Sequence, residues 1–319
     1  MAKEMNTTVA PTRQRAVNFF ALLGILGGHR AAKEAWDRAG GVVDLTRPLA
    51  SGAGAAIGRL DVDDNAIERA VRQVDENLVL QPDDRILELG RDGYPALLAG
   101  IAEPPQFLFV RGRTDLLDAP GIAVVGTRKP SQDGGIRARK LAYLLARRGI
   151  VVLSGLAIGI DTSAHMGALD SGGDTVAVIG TPLTTAYPAE NESLQLRIGQ
   201  VGAVVSQFCP GFGTTRGSFP IRNATMSGLA LGTVVIEASE TSGALIQARR
   251  CLEQGRKLFI PQSALDNPSL LWPRKFVQQG AIVFRTFKEL TESLERERLI
   301  SLSERFEPAL ANVGGANAD

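Results

Sequence analysis

The pattern of apolar positions changes near residue 84. Before it, apolar residues recur at helical spacing: Val17, Phe20, Leu23 and Ile25 in one stretch, Ala66 to Leu78 in another. Gly40-Gly41 and a small-residue stretch, Leu49 to Ile57, lie between them. After it, short β-branched runs take over: Arg85–Leu89, Phe107–Arg111, Ile122–Gly126, Val151–Ser154, Val176–Ile179, Ala203–Ser206, Thr233–Glu237, Lys257–Ile260 and Ile282–Phe284. From Gly126 onward these alternate with helix-length segments that carry polar faces. Continuous apolar strands separated by helices predict βαβ units and a parallel sheet covered on both faces. A last helix is expected near Phe287–Arg298. Several strands end in Gly or Ser, and ligands of such sheets bind beyond the carboxyl ends of the strands.

Composition narrows the field. The 319 residues carry a net charge of +1, are 44% hydrophobic and 22% charged, and so describe a soluble globular protein that does not bind polyanions through bulk charge. Aromatics are only 5%, so the core is expected to lean on Leu, Val, Ile and Ala. Two cysteines, Cys209 and Cys251, make no disulfide scaffold, and with two histidines, His29 and His165, and no CxxC spacing the chain lacks the pattern of a structural zinc site. No apolar run reaches membrane-spanning length and no signal-peptide pattern opens the chain, which predicts a cytoplasmic address with no membrane partner.

Four stretches carry candidate chemistry. Gly126-Thr127-Arg128-Lys129-Pro130-Ser131 joins a strand to a helix expected near Asp133 and fits either a phosphate cradle or a plain turn. It matches neither a Walker loop nor a dinucleotide fingerprint. Ser154-Gly155 opens a turn in which Asp161 suits a helix N-cap, with His165 one turn on. That spacing admits an acid/base pair, though an N-cap beside a structural histidine is the simpler reading. Phe219, Arg222 and Asn223 combine a stacking surface with a two-pronged phosphate donor. Ser242 and Gly243 open a helix after Glu237 and Glu240, where backbone N–H groups face an anion, or simply begin a helix. Residues 111–150 hold nine cations against three acids, the pattern of a groove that tracks a nucleic-acid backbone. Leu23 to Gly28 fits a turn between core helices and, alternatively, a helix-hairpin-helix.

In this order the motifs resemble the DNA-processing protein A family (DprA, also called Smf), from about Leu87 to Leu294. The series runs through Gly90-Arg91-Asp92-Gly93-Tyr94-Pro95, Val125-Gly126-Thr127-Arg128, Ser154-Gly155-Leu156-Ala157, Gly159-Ile160-Asp161, Tyr187-Pro188, Phe219-Pro220 with Arg222-Asn223, and Ser242-Gly243-Ala244. The resemblance implies an α/β fold: an extended Rossmann-like parallel sheet with helices on both faces, preceded by a small helical N-terminal domain. The expected boundaries are a disordered tail over 1–12, a helical domain of SAM or helix-hairpin-helix type over 13–80, the Rossmann-like domain over 81–298 and a flexible tail over 299–319. It also implies a homodimer that binds and protects single-stranded DNA and loads a RecA-type recombinase in natural transformation, with no catalytic residues, metal or cofactor. The DNA or phosphate contacts it implies are Gly126, Thr127, Arg128, Lys129, Ser154, Gly155, Phe219, Arg222, Asn223, Ser242 and Gly243. This chain departs from the pattern at Ile158 and Ala224, where Arg is frequent, at Pro261-Gln262, around Trp272-Pro273-Arg274, and in the expected lack of a C-terminal winged helix. Two other readings stay open. One is a nucleotide sensor of a defence or signalling system, with a closed pocket of Gly126, Ser154, Gly180 and Ser242. The other is an enzyme that resembles the nucleoside-monophosphate phosphoribohydrolases, which the run Thr241 to Leu245 disfavours.

Overall fold

The computed structural model describes residues 6–40, 44–49 and 64–300. The expectations for residues 1–5, for most of the small-residue stretch (50–57) and for most of the C-terminal tail (301–319) fall outside them.

All nine predicted strands are present, within a residue or two of their expected ends: β1 (Arg85–Glu88), β2 (Phe107–Gly112), β3 (Gly121–Val125), β4 (Val151–Ser154), β5 (Thr175–Val178), β6 (Ala203–Ser206), β7 (Gly232–Val235), β8 (Lys257–Pro261) and β9 (Ile282–Phe284). They form one sheet in the order β1-β2-β6-β5-β4-β3-β7-β8-β9. The seven strands from β6 to β9 in that order run parallel; β1 and β2 add an antiparallel edge. Period-two alternation sorts the strand side chains. Ile122, Val124 and Val234 face one layer, and Ala123, Val125 and Val235 face the other.

In chain order the helices are α1 (Asn6–Leu26), α2 (His29–Ala39), α3 (Asp64–Asn77), α4 (Ala96–Ala99), α5 (Gln132–Arg147), α6 (Ile160–Asp170), α7 (Glu192–Val201), α8 (Ser218–Leu229), α9 (Ala244–Glu253), α10 (Gln262–Leu265), α11 (Trp272–Gln278) and α12 (Phe287–Arg296). Residues of α5, α6 and α12 cover one face of the sheet core, and those of α4, α8 and α9 cover the other. Chain order reverses between β3 and β7: β4 to β6 build outward on one side of β3, and β7 to β9 on the other. The candidate motifs cluster at the carboxyl ends of β3, β4, β5 and β7, beside this reversal, where the fold leaves room for a ligand.

The N-terminal segment differs from its expectation in two ways. Helix α1 begins at Asn6, inside the expected tail, and Arg13 anchors it by bonding the Asp75 carboxylate and the carbonyls of Asp75 and Leu78. Nor does the 13–80 segment keep a core to itself. Phe19, Phe20 and Trp36 share one apolar cluster with Phe107 and Phe109 of β2, with ring centroids 5.5 Å apart for Phe19–Phe107 and 5.7 Å for Phe20–Phe109. This junction is aromatic although the chain is not. The Arg15 guanidinium grips the buried Glu88 carboxylate of β1 at 2.7 and 2.5 Å, which adds a two-pronged tie. Of the stretch Leu23 to Gly28, the first four residues are the last turn of α1, and Gly27 and Gly28 alone join α1 to α2, with Gly28 as the N-cap of α2.

Candidate functional site

Beyond the ends of β3, β4 and β5 lies a small pocket of about 80 Å³, with Arg128, Gly155, Ile158, Tyr187, Phe219 and Arg222 among its walls. Its outer rim is aromatic. Tyr187, 49% exposed, leans on Phe219 with centroids 5.3 Å apart, and the Arg128 guanidinium lies 5.8 Å from the Phe219 ring. An exposed cation beside two aromatic rings is the chemistry for a phosphate and its base. Phe219 keeps this position because Gly180, at the end of β5, has no side chain to displace it.

The pocket floor is built differently. Ser154 is fully buried, and its hydroxyl donates to Val124 O at 2.7 Å. The following turn carries Leu156 at φ 58, a left-handed conformation uncommon outside glycine. Two buried side chains hold that turn. The Asp161 carboxylate accepts from Gly155 N at 3.1 Å and Ala157 N at 3.4 Å, while Arg222 Nη1 donates to Gly155 O at 2.6 Å and Val178 O at 2.5 Å. Burial pulls the Arg222 guanidinium down to about 10, with Asp161 pulling it back up, so it is charged at neutral pH. Burial also raises the Asp161 carboxyl, against the opposing pull of Arg222. Arg222 therefore staples the β4 and β5 loops together rather than reaching out.

The other expected residues separate accordingly. Arg128 and Lys129 are exposed and form no ion pair among the described residues. Gly126 is packing: a side chain there would run into Ile160 and the Glu237 carbonyl. Thr127 donates its N–H to Glu237 O at 2.7 Å. Phe219, Arg222 and Asn223 stand on the first turns of α8, not on a loop. Asn223 accepts from Arg222 Nε at 3.0 Å and reaches Gly243 O at 3.5 Å, its link to the start of α9. Ser242 and Gly243 do not line the pocket. Tyr187 and Pro188 do, although they lie outside the contacts that the resemblance implies; the Tyr187-Pro188 pair in the motif series is the sequence signal for them.

Asp161 is not the N-cap of α6. Gly159 holds that position at φ 88, where a side chain would overlap the carbonyls of Thr127 and Arg128, and Asp161 sits in the first turn. His165 is fully buried. Thr175 Oγ1 donates to Val152 O at 2.7 Å, so it accepts from His165 Nδ1–H at 2.8 Å, which assigns the neutral tautomer. Burial drops the imidazole to about 3. A histidine sealed from solvent and neutral is structural, and the acid/base pairing fails.

The basic segment 111–150 does not form one strip. Arg111 pairs with buried Asp84, Arg113 with Asp115 and Asp174, Arg137 with Glu237 and Arg139 with Asp170. A second pocket, about 340 Å³, lies between residues 79–81 and α7. Its cation is the engaged Arg111 and it also presents Glu192, so it offers a phosphate nothing. Among the described residues there is no cluster of three or more metal-ligating side chains, and no helix is long and apolar enough to cross a membrane.

Comparison with known proteins matches this architecture. The family model for DNA recombination-mediator protein A matches residues 85–295. DNA processing protein DprA of Streptococcus pneumoniae is 45% identical over 179 residues, 56% of this chain and 63% of that protein. Protein Smf of Escherichia coli is 37% identical over 216 residues, 67% of this chain and 58% of that one. The chain thus spans less than two thirds of the length of these relatives. The crystal structure of S. pneumoniae DprA superposes with a TM-score of 0.72 at 29% identity, over 86% of this chain and 97% of that one. A Helicobacter pylori DprA structure, described for its single-stranded DNA binding mode, superposes with a TM-score of 0.59 at 27% identity, over 67% and 96%. With the family match running from the first strand of the sheet to its last helix, the chain belongs to the DNA recombination-mediator protein A family.

Proposed function

We propose that this chain binds single-stranded DNA through the pocket of Arg128, Tyr187 and Phe219, without catalysis, and protects that strand. The observation that carries the reading is the exposed Arg128 guanidinium set beside the Tyr187–Phe219 pair at the carboxyl edge of the sheet. Arg128 and Lys129 supply phosphate affinity without base choice, and the rings supply sequence-tolerant stacking. The binding mode described for the H. pylori relative supports the same ligand. Loading of a RecA-type recombinase during natural transformation, action as a homodimer and a cytoplasmic site of action complete the proposal on the strength of family membership.

The nucleotide-sensor alternative loses its pocket. Gly126 and Gly180 are filled by neighbours, Ser154 is buried against Val124, and none of the proposed four residues lines the cavity. The deciding experiment is a salt series of binding to fluorescent oligo-dT, beside duplex DNA and free nucleotides, with Arg128→Ala in parallel. Tight single-strand binding that weakens with salt, and is measurably weaker in Arg128→Ala, is the expected result. Absence of oligonucleotide binding, with thermal stabilisation by a free nucleotide instead, would overturn it.

A further inference from the structure

Sheets that reverse their strand order open a crevice at the reversal, and commonly seat a ligand phosphate at the N-terminus of the helix after the first strand. Here that helix is α5, and a carboxylate of the chain itself already stands there. Glu237, two residues past β7, accepts from Ser131 N at 2.9 Å and from Ser131 Oγ at 2.7 Å through its carboxylate, while its carbonyl accepts from Thr127 N at 2.7 Å. Gly134, in the first turn of α5, leaves the space the carboxylate fills; any side chain there would overlap Glu237 Oε2. Arg137, one turn on, approaches the same oxygen at 3.5 Å. The positive end of the helix is thereby neutralised from within. Both ends of the 127–131 loop are also tied to this one residue just past the neighbouring strand, with Arg128 and Lys129 between the ties. Glu240 does not share this task, since its carboxylate accepts from Leu271 N and Trp272 N at the start of α11.

We infer that Glu237 is a specificity-determining residue: it occupies the phosphate position of the reversal crevice, so free nucleotides are refused there, and it clamps the 127–131 loop with Arg128 turned to the aromatic pocket. The second half rests on the DNA reading above; the first half does not.

The test uses the full chain with Glu237→Ala, Arg128→Ala and the double variant, oligo-dT binding in one arm and thermal shift with dTMP in the other. Glu237→Ala is expected to weaken oligo-dT binding about 5- to 20-fold when Arg128 is present and not at all when it is absent, the non-additivity of a positioning role. Glu237→Ala is also expected to be stabilised by millimolar dTMP, while the parent is not. Equal losses with and without Arg128, no loss at all, or no dTMP stabilisation of the variant would each overturn the inference. If the parent binds no oligonucleotide, the DNA reading fails by itself and the dTMP arm still judges the crevice. Should Glu237→Ala not fold, Glu237→Ser answers the same two questions, because it removes the carboxylate and vacates the space it fills beside Gly134.

Discussion

Arg222 separates a contact residue from a buried staple, and its replacement by alanine makes the distinction measurable. The side chain is 6% exposed and donates to two carbonyls, Gly155 O just past β4 and Val178 O at the end of β5. Truncation removes both charge-assisted bonds and leaves the Asp161 carboxylate, itself 6% exposed, without its nearest cation. The two charge-assisted bonds to carbonyls are worth about 1.5–3 kcal/mol each, so their loss costs about 3–5 kcal/mol and in a chain of this size lowers Tm by on the order of 10 °C. Arg222→Ala is therefore expected to melt far earlier in a thermal scan. Its loss of oligo-dT affinity should follow from loosening of the Gly155–Ala157 turn. Arg128→Ala, at an exposed position, should do the reverse: unchanged Tm, weakened binding, and a salt slope shallower by about 0.7, one single-strand phosphate contact. An Arg222→Ala protein that melts like the parent yet no longer binds DNA would refute the reasoning, because only a side chain facing the ligand behaves that way.

Three further expectations follow from the same geometry. Tyr187→Ala should cost about 1–3 kcal/mol of oligo-dT binding, the worth of one stacked base, with no change in Tm; equal affinity in a titration would remove the ring from the site. Ile158→Arg places a cation at a rim position that is 41% exposed, and should tighten binding and steepen the salt slope by about 0.7; an unchanged slope would mean the strand passes elsewhere. His165 gives the chain an acid sensitivity of definite sign. Its pKa is about 3 folded against 6.5 free, so between those values the unfolded state takes up a proton the folded state refuses. Stability from this residue is full above pH 6.5 and falls by up to about 1.4 kcal/mol per unit below it. Asp161, with its carboxyl raised by burial, acts in the opposite direction as pH falls and offsets part of this. Urea midpoints at pH 7 and pH 5 should therefore draw closer together in His165→Asn than in the parent; an undiminished drop would clear His165 of the effect.

The sheet was readable in the chain because its signals are local. A buried parallel strand is a short β-branched run closed by glycine or serine, and Val151–Ser154 and Ala203–Ser206 are strands with those very ends. Order along the chain also placed the small residues at the carboxyl edge. The side to which each motif residue turns is not local. Whether Arg222 faces ligand or core depends on two carbonyls 67 and 44 residues away, and Glu237 finds its partners 106 residues back along the chain. The nine cations of 111–150 read as one strip only until the fold set Asp84, Asp174, Asp170 and Glu237 against four of them. The N-terminal helices looked self-contained for the same reason: nothing in the spacing of Phe19, Phe20 and Trp36 announces that their partners are Phe107 and Phe109. By itself the sequence determined which elements form and which edge of the sheet carries chemistry, since periodicity and turn residues act over a few positions. Only the tertiary structure decided which charges meet solvent, because a side chain's partner across the sheet is chosen by packing and not by neighbours in the chain.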